Sequence, residues 1–233
     1  MQDPERPLRE HLVMLAGTPD AAAAVTALLT TITGLAADRI DAISYASITR
    51  SHGGGYTTVA ASSALAAAVD DAQYADGAGP CLDAATSGHV VGVPNIRATM
   101  VWPGFRDAAT RIGLRASLSV PLFAARGVPV AALNLYGRRP ESLSRLTAAV
   151  WAVFDPRTAA AHPDDALDDG GAELVAGLTA AFAVRGLIQQ ALGVIMAADR
   201  CAAEAAYGSL CSRAATTSAR MPDMARHIIA GGA

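Results

Sequence analysis

Residues able to do chemistry are sparse in this chain, and their spacing excludes most of the chemistry they could do. The three cysteines, Cys81, Cys201 and Cys211, are odd in number and lack CxxC spacing, which argues against a disulfide framework or a zinc site. The five histidines are scattered and sit in no recognisable motif. No nucleophile–base constellation stands out, so the expectation is a protein without catalysis, metal or cofactor. What remains is one amphipathic stretch, RGLIQQALGVIMAADR, from Arg185 to Arg200. On a helix, Gly186, Gln189, Gln190, Gly193, Ala197 and Arg200 share a face. Glycine inside a helix costs about 0.5–1 kcal/mol relative to alanine, so Gly186 and Gly193 together suggest that something comes close. That something is either a nucleic-acid backbone, with the glutamines hydrogen-bonding bases, or a neighbouring helix of the same bundle.

The other side of this helix is apolar. Leu174, Leu178, Ala181, Arg185, Ile188, Leu192 and Ile195 recur at alternating four- and three-residue steps, the pattern of a seam for a partner helix. Leu174, Leu178, Ile188, Leu192 and Ile195 are therefore expected to join two copies as a homodimer. Leu210, Met221, Met224, Ile228 and Ile229 supply core positions for two further helices, and Pro222 fits a first helical turn.

The elements that position this segment follow from composition and periodicity. The chain has 233 residues, enough for one large domain or two small ones. Hydrophobic residues make up 52% but aromatics only 5%, so the core is built from many small side chains. All 18 positive side chains are arginine, and the net charge is −3, so any nucleic-acid site must be local. The charged start, MQDPERPLREHL, is not a signal peptide. The apolar run 21–37 is interrupted by threonines and Gly34 and is too short and polar to span a bilayer. The expectation is a cytoplasmic protein with no membrane contact.

A helix is predicted from Thr18-Pro19-Asp20 to Gly34. Strands follow at 41–50 and 56–62 around SHGGG, then short helices, a strand at HVVGV and a helix at WPGFRDAATRIG. ASLSVPLF and VPVAALNLYG form a hairpin about Gly127, and ESLSRLTAAVWAVF closes the unit. The order implies an α/β sandwich with a mainly antiparallel sheet. Acids, prolines and glycines mark 155–172 as a linker. The expected organisation is an N-terminal extension (1–17), an α/β domain (18–154), the acidic linker and a helical domain (173–233).

The first domain resembles a GAF domain, as found in actinobacteria. The resemblance rests on VDDAQYADGAGPCLDAATSGHVVGV, VWPGF, LRASLSVPLF and ALNLYGRRP. It implies an antiparallel sheet flanked by helices, sensing an unidentified small-molecule or protein signal. Its pocket would be lined by Tyr74, Cys81, Trp102, Phe105 and Tyr136, all of which also read as core residues. Some GAF-fold enzymes reduce free methionine sulfoxide, which takes an attacking and a resolving thiol. Only Cys81 lies in this domain, so a buried structural thiol is expected.

The second domain resembles an ANTAR domain, a three-helix RNA-binding module of transcription antitermination regulators. Arg185, Ile188, the run Gln190 to Met196, Ala206-Tyr207, Leu210 and the run Met221 to Ala225 carry the resemblance. It implies binding to hairpins in leader transcripts that prevents a terminator from forming. The RNA-contact candidates are Arg185, Gln189, Gln190, Gly193, Ala197, Arg200, Arg213 and Arg220. The chain departs from the family at Leu192 (usually lysine), Cys211 (often arginine), Ala214 (often serine), Arg200 (usually glycine) and Ala202 (usually a capping serine or threonine). From Glu173 onward five arginines face four acids, a weak basic bias for an RNA binder. The alternatives are a sensor or dimerisation protein whose degenerate tail no longer binds RNA, and the sulfoxide reductase.

Overall fold

The computed structural model describes residues 7–52, 54–158 and 167–231. Alternating apolar and small polar residues build five strands: β1 (Tyr45–His52), β2 (Gly55–Ala61), β3 (Val91–Val93), β4 (Ala116–Phe123) and β5 (Pro129–Gly137). They form one sheet of order β2-β1-β5-β4-β3, with every pairing antiparallel. The β4–β5 turn depends on Gly127, whose φ of +86° is a conformation that costs glycine little.

The sheet is covered on both faces. Ala46, Ile48, Leu118, Val120, Leu122, Leu133 and Leu135 point into the main apolar core. That core is completed by α1 (Leu8–Ala16), α2 (Ala24–Arg39), α6 (Pro140–Phe154) and the first part of α7 (Asp169–Asp199). The opposite face carries α3 (Ala64–Asp76), α4 (Pro80–Ser87) and α5 (Pro103–Arg111). The rest of α7 packs with α8 (Ala203–Thr216) and α9 (Met221–Ile229) around Ile188, Leu192, Ile195, Leu210, Met221, Met224 and Ile228.

Several boundaries differ from those expected of the sequence. The N-terminal extension folds as α1, whose Leu8, Leu12 and Leu15 are buried. Thr18 does not cap α2; its hydroxyl donates to Met14 O at the end of α1. Helix α2 begins at Ala24 and passes through Gly34 to Arg39, because burial of Ile32 and Ala36 outweighs the glycine cost. Helix α7 begins inside the segment expected to be linker. Asp168 caps it by accepting from Gly171 N at 2.6 Å. A Cβ at Gly170 would collide with the Arg39 carbonyl, so glycine lets this first turn sit against the end of α2. The linker residues 159–166 lie outside the described residues.

The expected dimer seam is filled from within the chain. Leu174 and Leu178 join the main core beside Leu8, Leu12 and Leu15 of α1. Helix α1 can approach because residue 177 is glycine; a Cβ there would lie 2.6 Å from Leu12 Cδ1. Leu8 N donates to Glu173 Oε2 at 2.9 Å, and Arg39 pairs with the same carboxylate at 3.3 Å. Ile188, Leu192 and Ile195 are covered by α8 and α9. Heptad spacing calls for a partner helix, and this chain supplies its own.

Helix α7 is long and apolar enough to cross a membrane by length and composition, a property not anticipated from the sequence. Its halves pack instead against the two apolar cores.

Candidate functional site

Strand register builds a polar layer on the face of the sheet beneath α3 and α4. Ser47 stands opposite Asn134, which stands opposite Ser119. Tyr45 stands opposite Tyr136, which stands opposite Ser117. Ser47, Thr49, Ser117, Ser119 and Asn134 are all buried. Helix α3, capped by the Ser63 hydroxyl accepting from Leu65 N, delivers Asp70 into the layer fully buried.

Asp70 is held by neutral donors. Tyr136 Oη donates to Oδ1 at 2.5 Å and Thr58 Oγ1 to Oδ2 at 2.9 Å. Asn134 Nδ2 donates to Thr49 Oγ1 at 2.9 Å and reaches Asp70 Oδ1 at 3.4 Å. Burial disfavours the carboxylate and pushes its pKa up to about 6, although the hydrogen bonds from Tyr136, Ser47 and Thr58 pull the other way. Ser117 Oγ, Ser119 Oγ and Asn134 Oδ1 have no hydrogen-bond partner among the described residues. Each such buried atom costs about 1–3 kcal/mol unless a guest satisfies it.

Three of the five pocket candidates meet in this layer. Tyr136 is in contact with Asp70. Tyr74 Oη shares hydrogen bonds with Thr49 at 2.8 Å and Thr58 at 2.9 Å. Cys81 N donates to Gln73 Oε1 at 3.0 Å, and a Cβ at Gly79 would collide with that glutamine. Burial pushes the Cys81 thiol well above its usual range, which disfavours the nucleophilic thiolate. Phe105 and Trp102 pack alongside, with Val69, Ile96 and Leu114. Sequence reasoning missed Asp70, Gln73 and Asn134. An acid and an amide inside otherwise apolar element patterns were the available signal.

In the helical tail, a Cβ placed on Gly186 or Gly193 would meet nothing within 4 Å, so no bundle helix packs there. Gln190, Gly193, Ala197 and Arg200 are exposed. Arg200 ends α7 with φ at +51°, the left-handed position a glycine would favour. Arg213 lies 3.9 Å from Asp199, and Arg220 Nε lies 2.8 Å from Asp223. Leu192, where lysine is usual, is buried in the tail core.

Arg185 and Gln189 turn towards the sheet domain instead. The Arg185 guanidinium lies 4.1 Å from the Phe123 ring centroid and 5.8 Å from that of Phe182. Gln189 Nε2 donates to Arg126 O at 3.2 Å. Arg126 forms an ion pair with Glu204 of α8, and its N–H donates to Asp20 Oδ1 at 2.9 Å. Tyr207 Oη donates to the same carboxylate oxygen at 3.3 Å. The β4–β5 hairpin is thus tied to α7 and α8 directly.

Comparison with known families agrees with this architecture. A GAF domain model matches residues 22–153, more than half of the chain, and an ANTAR domain model matches residues 176–229. The chain belongs to the GAF family and carries an ANTAR domain behind its sensor-type domain. It therefore pairs two regulatory domains, the second of an RNA-binding kind. No curated protein matches the chain. Among solved structures, a domain described as part of a two-component sensor histidine kinase protein from Sinorhizobium meliloti 1021 is similar at 17% identity. The match covers 78% of this chain and 99% of that one with a TM-score of 0.40, too slight to carry any functional argument.

Proposed function

We propose that this protein is a cytoplasmic regulator in which a signal at the GAF domain controls an ANTAR tail that binds leader-transcript hairpins and prevents termination. The observation that carries this reading is the β4–β5 hairpin, which contacts α7 and α8 through Phe123 and Arg126. Both hairpin strands line the polar layer on their other end, at Ser117, Ser119, Asn134 and Tyr136. A change in that layer has a direct route to the tail, in addition to the linker. Arg185 and Gln189 are engaged in this contact, whereas Gln190, Gly193, Ala197 and Arg200 remain open to RNA.

The protein acts as a homodimer in this reading, through a surface other than the expected seam.

One observation favours the second reading, a tail that no longer binds RNA: Arg213 and Arg220 have acidic partners and Leu192 is a core residue. Crosslinking the protein to RNA in its own cell, followed by sequencing, separates the two. Recovery of transcripts with paired hairpins ahead of terminators is expected. Recovery no greater than from a control lacking the crosslink would leave the degenerate-tail reading standing.

A further inference from the structure

The tail is poor in free cations, but one end of the GAF sheet is not. Arg97, Arg111, Arg115, Arg138 and Arg139 are exposed, and none forms an ion pair among the described residues. They come from four separate places in the chain: the turn after β3, the end of α5, the start of β4 and the end of β5.

Backbone hydrogen bonds hold these places side by side. Ile96 N donates to Arg115 O at 2.8 Å, and Arg115 N donates to Gly137 O at 2.9 Å. Arg97, Arg115 and Arg138 therefore stand on neighbouring lines of chain, at steps of roughly 4.8 Å. Arg138 Nη2 donates to Tyr45 Oη at 2.9 Å and to Ile112 O at 3.5 Å, which ties the end of α5 to the row. Arg139 Nη2 donates to Asp41 O at 3.3 Å, a backbone carbonyl rather than a carboxylate. Of the acids in this region, Asp107 is paired with Arg106 at 3.0 Å, while Asp41 and Asp168 line the same cleft as Arg139.

Like charges on neighbouring lines of chain repel one another. Folding has nonetheless gathered them, and Arg138 is pre-positioned. The charge pattern complements a chain of phosphates, where each contact releases a counterion. We infer that this arginine row is a polyanion-binding face of the GAF domain. It rests on the RNA reading above, and it assigns part of the phosphate contact to the sensor domain rather than to the tail alone. Base-reading groups on α7 and phosphate-binding groups on the GAF domain then divide recognition between the two domains.

The test uses the full-length chain and a labelled RNA carrying two stem–loops, titrated at two salt concentrations. Replacing Arg97, Arg111 and Arg115 together by glutamine is expected to weaken binding about tenfold or more at the lower salt and to reduce the slope of log K against log salt by about 2–3. The corresponding triple lysine variant keeps the charge and is expected to bind within about threefold of the parent, because a phosphate contact needs charge more than a planar fork. Unchanged thermal melts confirm that the surface substitutions leave the fold intact. If the glutamine variant binds with the parent's affinity and salt slope, the arginine row is overturned and the RNA reading survives. If the parent binds no RNA at either salt, both fall together.

Discussion

The guanidinium carbon of Arg185 sits 4.1 Å from the centroid of the Phe123 ring, joining the ANTAR helix to the last residue of β4. Phe182 flanks the same guanidinium, and Phe154 meets Phe182 edge-on at 4.8 Å. Partial burial lowers the arginine's pKa without discharging it. A cation over an aromatic face contributes about 0.5–2 kcal/mol, depending on how far it is desolvated.

Replacing Arg185 by alanine should therefore loosen the two domains without unfolding either. Amide hydrogen exchange at the Gly127 turn and the start of α8 is expected to speed up, while exchange in β1 stays as it was. Unaltered exchange at the turn would show that this stacking does not hold the domains together.

Asp70 makes stability depend on pH. Its folded pKa of about 6 is above the unfolded value of 3.8, so the folded state binds the proton more tightly. The group's stabilising contribution is full below the unfolded value and is lost as pH rises through about 6, a loss of about 3 kcal/mol. Asp70→Asn keeps the shape but removes this titration. Relative to the parent, the variant is expected to gain stability between pH 5 and pH 8. Denaturant melts of both proteins at those two values check this, and a pH-independent difference would refute the linkage.

Two glycines on α7 should respond oppositely to enlargement. At Gly177 a side chain meets Leu12 Cδ1 at 2.6 Å and Arg9 Cα at 2.9 Å, so Gly177→Leu should destabilise by several kcal/mol. At Gly193 nothing lies within 4 Å, and leucine is the better helix former by up to about 1 kcal/mol. Gly193→Leu should keep or raise the melting temperature while disturbing whatever docks on that face. Light scattering reports on the dimer and hairpin titration on the RNA. Loss of stability at Gly193 would mean the face is occupied within the chain.

Cys81 should be chemically silent in the native protein. It is fully buried, with its thiol pKa raised, whereas Cys201 and Cys211 are half-buried. Maleimide labelling followed by peptide mapping is expected to modify the two tail cysteines first, with Cys81 reacting only after denaturation. Rapid native labelling of Cys81 would reopen the reductase reading.

Much of this protein was legible locally. The runs ASLSVPLF and VPVAALNLYG about the Gly127 turn defined the β4–β5 hairpin, and the run ESLSRLTAAVWAVF marked α6, because these signals act over a few residues. The motif around Gln190 to Met196 was readable for the same reason. The polar layer was harder to see. Ser47, Thr49 and Asn134 alternate with apolar residues as a solvent-facing strand side would, and only the packing of α3 and α4 over them makes that side interior.

The amino-acid pattern by itself determined that α7 needs a helix along Leu174, Leu178, Ile188 and Ile195, since a heptad apolar stripe is unstable in water. It did not determine whose helix. Tertiary structure decided that α1 covers one end and α8 and α9 the other, through close approaches such as Leu12 to Gly177. It also brought Arg97, Arg115 and Arg138 from distant positions onto neighbouring lines of chain, and left Gly193 in the open. Periodicity fixes which side of an element is buried. Only the assembled chain fixes what buries it, because the free energy of burial is non-directional and is gained equally from any apolar surface of fitting shape.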